Sequence, residues 1–209
     1  MAISLVAIGD KIRASLINAL ITQVNGIALV GQIPTVSGTG VTVSPGGSVS
    51  FAGASTVQVL GAFSGTYDNY RIVWDIPSQT AGADLQMHLA NAGTDDTTGN
   101  YSYTRGYDHG GTTNARTVAS VTAASSFLLT AGASSSQTNF GYMDLSGPAL
   151  SRYTAGLAQA VVHNTTPDTY TTSTNLFNSS TTAYDGFSIG PTSGTMTGTL
   201  RVYGYNNLT

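Results

Sequence analysis

The sequence predicts a mainly β protein: a short N-terminal α-helix, then a β connector, then an antiparallel β-sandwich of jelly-roll type. Three observations lead there. Short runs of alternating apolar residues recur about every ten to fifteen residues from Tyr67 onward, with no helical period between them. About a quarter of the chain is Ser or Thr and 25 residues are Gly, the makeup of a protein with many tight turns. Only 8% of the residues are charged, against about 25% in an ordinary soluble domain, so hydroxyls and amides must cover the surface.

The helix is read from Ile12, Leu16, Ile17, Leu20, Ile21 and Val24, which recur at three- and four-residue steps between the cap residue Asp10 and Gly26. A stripe of this kind is marginal in water until it is buried. These six residues are therefore the expected assembly contacts, with copies of the same segment, with another protein or with the chain's own sandwich. From Gly31 to Gly65 the pattern becomes β hairpins: Val41 to Val43, Ser48 to Phe51 and Thr56 to Phe63, parted by Gly38-Thr39-Gly40 and Pro45-Gly46-Gly47. The main domain follows. Tyr70, Ile72, Trp74 and Ile76 share one strand face, Pro77 to Ala83 is a turn, and Leu85, Met87 and Leu89 face inward on the next strand. Further strands are expected at Asn100 to Tyr107, Val118 to Val121, Ser126 to Leu129, Phe140 to Leu145, Tyr153 to His163, Asp185 to Ile189 and Thr195 to Tyr205. The organisation expected is an assembly segment at 1–30, a connector at 31–65 and a sandwich at 66–209.

Composition excludes several functions. Six Arg and the single Lys11 are scattered along the whole chain, too few for the basic stripe that nucleic acid requires. No Cys is present, so thiolate metal sites, disulfides and thiol nucleophiles drop out. The apolar opening is broken by Asp10, Lys11 and Arg13, too short for membrane insertion. No metal spacing links His88, His109 and His163, and no cofactor motif occurs.

Three motifs bear on chemistry. Gly186-Phe187-Ser188-Ile189-Gly190 fits the G-x-S-x-G pattern of serine hydrolases, but that nucleophile needs a strand-to-helix elbow and a later His; a strand follows here, and His163 precedes it. Asp95 and Asp96 sit in a turn-rich segment, where paired carboxylates serve a glycosidase, hold Ca²⁺ or are simply solvated; the spacing is not that of an EF-hand loop, and solvation is the expectation. The run from Tyr101 to His109 is the candidate ligand surface. Tyr101, Tyr103, Arg105 and Tyr107 fall on one strand face and lead to Asp108 and His109, the mixture of flat rings and hydrogen-bonding groups that holds sugars. A tyrosine ladder packing a sheet face, or a subunit contact, has the same pattern.

The opening Ile8-Gly9-Asp10-Lys11-Ile12-Arg13-Ala14-Ser15, with Asn18-Ala19-Leu20 after it, resembles the N-terminal segment of tail-fibre and minor tail proteins of tailed bacteriophages. Phe63-Ser64-Gly65-Thr66-Tyr67-Asp68-Asn69-Tyr70-Arg71-Ile72-Val73 and the closing Gly194 to Tyr205 are similar to the frame of a β-sandwich domain of phage tail and virion-surface proteins. The resemblance implies a homotrimeric, non-enzymatic structural protein on the exterior of the virion. Its expected partners are other tail or capsid proteins and host cell-surface glycan, bound at a tail tip or fibre. With no extended shaft ahead of the sandwich, a compact capsid decoration or head-fibre protein, docked on the shell through its N-terminal segment, is the alternative.

Overall fold

The computed structural model describes residues 30–109, 116–130, 138–163 and 169–206. The expected N-terminal helix and its stripe from Ile12 to Val24 lie outside the described residues. Within them there is no helix. Sixteen strands follow in order: β1 (Val30–Gly31), β2 (Thr35–Ser37), β3 (Val41–Val43), β4 (Val49–Ala54), β5 (Val57–Leu60), β6 (Asn69–Gln79), β7 (Leu85–Asn91), β8 (Thr94–Asp95), β9 (Tyr101–His109), β10 (Arg116–Ala124), β11 (Phe127–Leu128), β12 (Asn139–Ser146), β13 (Thr154–His163), β14 (Thr169–Asn178), β15 (Gly186–Pro191) and β16 (Met196–Tyr205).

All pairings are antiparallel. A ten-stranded sheet runs β10-β9-β14-β13-β12-β6-β16-β4-β3 with β1 also on β16, and a six-stranded sheet runs β11-β7-β15-β5-β2 with β8 on β7. One hydrophobic core joins the inner faces of both. Its large-sheet half includes Tyr70, Ile72, Trp74, Ile76, Met143 and Leu200, and its small-sheet half Val57, Val59, Leu85, Met87, Leu89 and Phe187, all almost fully buried. The alternation read in the sequence for Tyr70 to Ile76 and for Leu85 to Leu89 points into this core, because a two-residue period puts every second side chain on one face.

A buried polar bridge also ties the sheets together. The Trp74 indole N–H donates to Asn139 Oδ1 at 2.9 Å, Asn139 Nδ2 donates to Thr130 Oγ1 at 3.1 Å, and the Leu85 amide donates to the same Thr130 oxygen at 3.4 Å. At its β9 end the large sheet curls onto the small one. There the Tyr101 ring meets Phe127 edge-on at 4.7 Å, and the Tyr101 hydroxyl accepts from the Leu89 amide and donates to the Asp96 carbonyl.

Three sequence expectations change. The connector at 31–65 is woven into both sheets: β4 pairs with β16 and β5 with β15, and Val49, Phe51, Val57 and Val59 belong to the common core. The packing thus has no division at residue 65. Pro77 lies inside β6 instead of opening a turn. Pairing of β6 with β12 ends at Ile76, and its register with β16 shifts between Thr197 and Thr199, so a residue without an N–H falls where the ladder is interrupted. Finally, β14 was not foreseen. Its inward positions are Thr172, Thr174, Leu176 and Asn178, all buried, and a core face made largely of Thr and Asn shows no hydrophobic alternation. Thr174 makes its burial tolerable by donating its hydroxyl to the Leu129 carbonyl at 3.2 Å.

Candidate functional site

The stripe Tyr101, Tyr103, Arg105, Tyr107 lies on a single face of β9, as expected, but that face is the inner one. Tyr101 is 0% exposed and Tyr103 7%, so neither ring is available to a ligand. Burial drives the Tyr101 hydroxyl far above its ordinary pKa, and raises that of Tyr103 as well. Arg105, near the end of the same face, donates from Nη1 to Asp84 Oδ2 at 3.0 Å and to the Thr130 carbonyl at 2.7 Å. Its guanidinium lies over the Tyr107 ring at 5.7 Å, and Tyr107 packs on the buried Val162. These contacts give four of the six expected ligand residues structural roles: two rings in the core, a half-buried ring packed on Val162, and a cation locking β9 to the segment before β7. Asp108 has the opposite parity and is exposed on the outer face, and His109 ends the strand.

The other motifs resolve into structure. Ser188 is 2% exposed in the middle of β15, and its hydroxyl donates to Asp95 Oδ2 at 2.7 Å. A Cβ on Gly186 would meet the Val59 carbonyl, and one on Gly190 the Ser55 carbonyl. The two glycines of the G-x-S-x-G pattern therefore serve the close approach of β5 and of the turn just before it, and no strand-to-helix elbow follows. His88 sits opposite Ser188 across β7 and β15, half-buried, with the Tyr101 ring edge-on at 6.5 Å. Burial lowers its pKa, against the pull of Asp95 and Asp96.

Asp96 organises the loop after β8. It accepts from the Thr98 amide at 3.0 Å and from the Thr98 and Tyr184 hydroxyls. Burial pulls its pKa upward, but these hydrogen bonds hold it below the ordinary carboxylate value; the Tyr184 phenol, mainly through burial, is pushed up to about 12. The Asp95 and Asp96 pair is thus a clasp between the loop after β8 and the segment before β15. Ser188, Thr98 and Tyr184 donate to three of its four carboxylate oxygens, and the fourth, Asp95 Oδ1, is buried without a hydrogen-bond partner among the described residues.

Besides a hollow of about 370 Å³ beside Asp95, Asp96, Thr98 and Tyr184, the outer face of the large sheet is open to a ligand. Phe140 (52% exposed), Val161 (47%), Tyr153 (56%) and Phe177 (40%) stand on it among Gln159, Thr171, Ser173 and Asn175. Cross-strand register groups them: Phe140 opposes Val161, Val161 opposes Thr171, and Tyr142 opposes Gln159, which opposes Ser173. Together they line a shallow hollow of about 240 Å³. The Tyr142 hydroxyl donates to Gln159 Oε1 at 2.6 Å, and the Arg71 guanidinium lies over the Tyr142 ring at 4.9 Å while forming a two-point ion pair with Asp144 at 2.8 and 2.6 Å. These contacts hold the half-buried Tyr142 ring in one orientation. A second group, Tyr153 edge-on to Phe177 at 5.5 Å, lies toward the other end of the strands. The sequence carried a signal for this face in the residues between the inward ones of β12 and β13; for Phe177 that signal was lost with β14.

Comparison with protein-family models, with curated proteins and with solved structures finds no match to this chain.

Proposed function

We propose that the chain is a non-enzymatic structural protein displayed on the exterior of a tailed-bacteriophage particle, which attaches to host surface glycan through the outer face of its large sheet. The observation that carries the attachment reading is that face, where exposed rings at Phe140, Tyr153 and Phe177 and the half-buried ring of Tyr142 stand among amide and hydroxyl side chains. Sugar rings stack on aromatic faces and their hydroxyls take directed hydrogen bonds from Gln, Asn, Ser and Thr. Such a site is weak singly and gains avidity when a particle carries several copies.

Jelly-roll topology is part of the same reading. It is supported by strand order: the chain alternates between sheets so that β4-β16-β6-β12 faces β5-β15-β7-β11, with β9, β10, β13 and β14 as insertions that widen the large sheet and β8 as a short addition to the small one. Segment 1–30, with the resemblance noted at its opening, is the part assigned to assembly in a homotrimer or docking on tail or capsid.

The test is twofold. Immunogold labelling of particles should place the chain at the tail tip or fibre; gold spread over the head moves it to capsid decoration, and no virion label removes the reading. The triple change Phe140→Ser, Tyr142→Ser and Phe177→Ser should weaken adsorption to host envelope polysaccharide by about tenfold or more, since each stacked ring is worth on the order of 1 kcal/mol. Adsorption equal to the parent chain would overturn the site.

A further inference from the structure

The edges of the two sheets are unequal. Among the described residues, the small sheet ends in β11, of two residues, and β2, of three, and the large sheet ends on one side in β3, of three. Short edge strands are how proteins avoid pairing with other chains. The opposite end of the large sheet is different: β10 has nine residues, Arg116–Ala124, and among the described residues pairs on one side only, with β9.

Its sequence lacks the usual protections. Arg-Thr-Val-Ala-Ser-Val-Thr-Ala-Ala contains no Pro, no acid and one charge, at its first residue. Val118 is 60% exposed. The register with β9 is regular from Arg116 to Val121, and the one irregularity, between Val121 and Ala124, bends only the last third. A row of backbone donors and acceptors at strand spacing is complementary to another strand. A segment of small residues with a single charge at its first position is complementary to itself, because turning it through a two-fold axis near Ser120 sets Arg116 opposite Ala124 and no like charges meet.

We propose that β10 is an interface strand, which pairs antiparallel with β10 of a second copy of this chain and makes one continuous sheet across a two-fold axis near Ser120. The contact goes beyond the attachment reading and does not need it: it uses the backbone edge of β10 and not the rings of the outer face.

The full-length chain is suited to a direct test because it has no cysteine. Ser120→Cys treated with a short bismaleimide should yield a covalent dimer at micromolar concentration, and Ser50→Cys, exposed on β4 within the same sheet, should not. In the parent chain the β10 amides should exchange with deuterium more slowly as concentration rises. Val118→Lys with Ser120→Lys, both at exposed positions, should restore fast exchange in β10 and weaken self-association by about tenfold or more, since like charges would then face each other across the axis. Unchanged exchange of the β9 amides checks that the variant is folded. Failure of Ser120→Cys to cross-link with itself overturns the proposal, as do β10 amides whose exchange does not depend on concentration; slow exchange at every dilution would mean that another segment of the same chain covers the edge. Loss of glycan adsorption in the outer-face variant, with cross-linking intact, would separate this contact from the attachment site.

Discussion

Asn139 shows how much a single side chain carries when it is the middle of a buried chain of hydrogen bonds. It is 0% exposed, accepts from the Trp74 indole and donates to Thr130, whose oxygen also takes the Leu85 amide. An Asn139→Ala change strands a buried indole N–H, and the cost of an unsatisfied buried donor is about 1–3 kcal/mol. The expected result is a stability loss of that size in urea titration with an unchanged denaturant slope; a loss under about 0.5 kcal/mol would mean that Trp74 finds another acceptor. Close packing beside it has the same origin. A Cβ on Gly141 would lie 2.5 Å from the Trp74 ring, so a glycine in mid-strand makes room for the largest side chain of the core.

The loop after β8 is an element whose integrity depends on charge. Asp96 has its pKa lowered in the folded state, so the unfolded chain binds the proton first as pH falls; the contribution of Asp96 is complete above the unfolded value of 3.8 and is lost as pH drops through the folded value. His88 is also lowered, so below its ordinary 6.5 the unfolded state is again the better base. Thermal midpoints measured against pH should therefore fall in two stages on acidification, one beginning near 6.5 and absent in His88→Gln, the other near 3.8 and reduced in Asp96→Asn. A midpoint that is flat from pH 7 to 5 would contradict the lowered pKa of the half-buried His88.

Legibility in the sequence also differed by element. Strands with apolar inward positions, such as Tyr70 to Ile76 and Leu85 to Leu89, could be read from period alone, because burial and hydrophobicity coincide there. For β14 they do not coincide: its inward Thr172, Thr174 and Asn178 are polar, and only the fold supplies acceptors for the two Thr hydroxyls and donors for Asn178 Oδ1. The candidate ligand stripe met the converse difficulty. Alternation showed correctly that Tyr101, Tyr103, Arg105 and Tyr107 share a face, but tyrosine suits both a core and a binding surface, and only the curl of the large sheet onto β11 and β7 decides which face is inside.

At the scale of the molecule, the two sheets share one core that begins in the connector region. Val49, Phe51, Val57 and Val59 pack with residues as late as Val202. Melting should accordingly give a single cooperative transition reported alike by Trp74 fluorescence and by far-ultraviolet circular dichroism. A separate early transition would mean that residues 31–65 form their own unit.

One feature of that whole is the pairing of β1 with β16, which sets Val30 opposite Gly204 and Gly31 opposite Tyr203, with the Gln32 amide donating to the Val202 carbonyl at 2.9 Å. The first and last described strands are thus neighbours on one sheet. Covalent order and spatial order are separable in such a fold: a few residues could join 204 to 30, the chain could be opened at the exposed turn around Gly93, and every strand would keep its partners. The sheets would be circularly permuted, and the same surfaces could be offered from an attachment point on another side of the molecule.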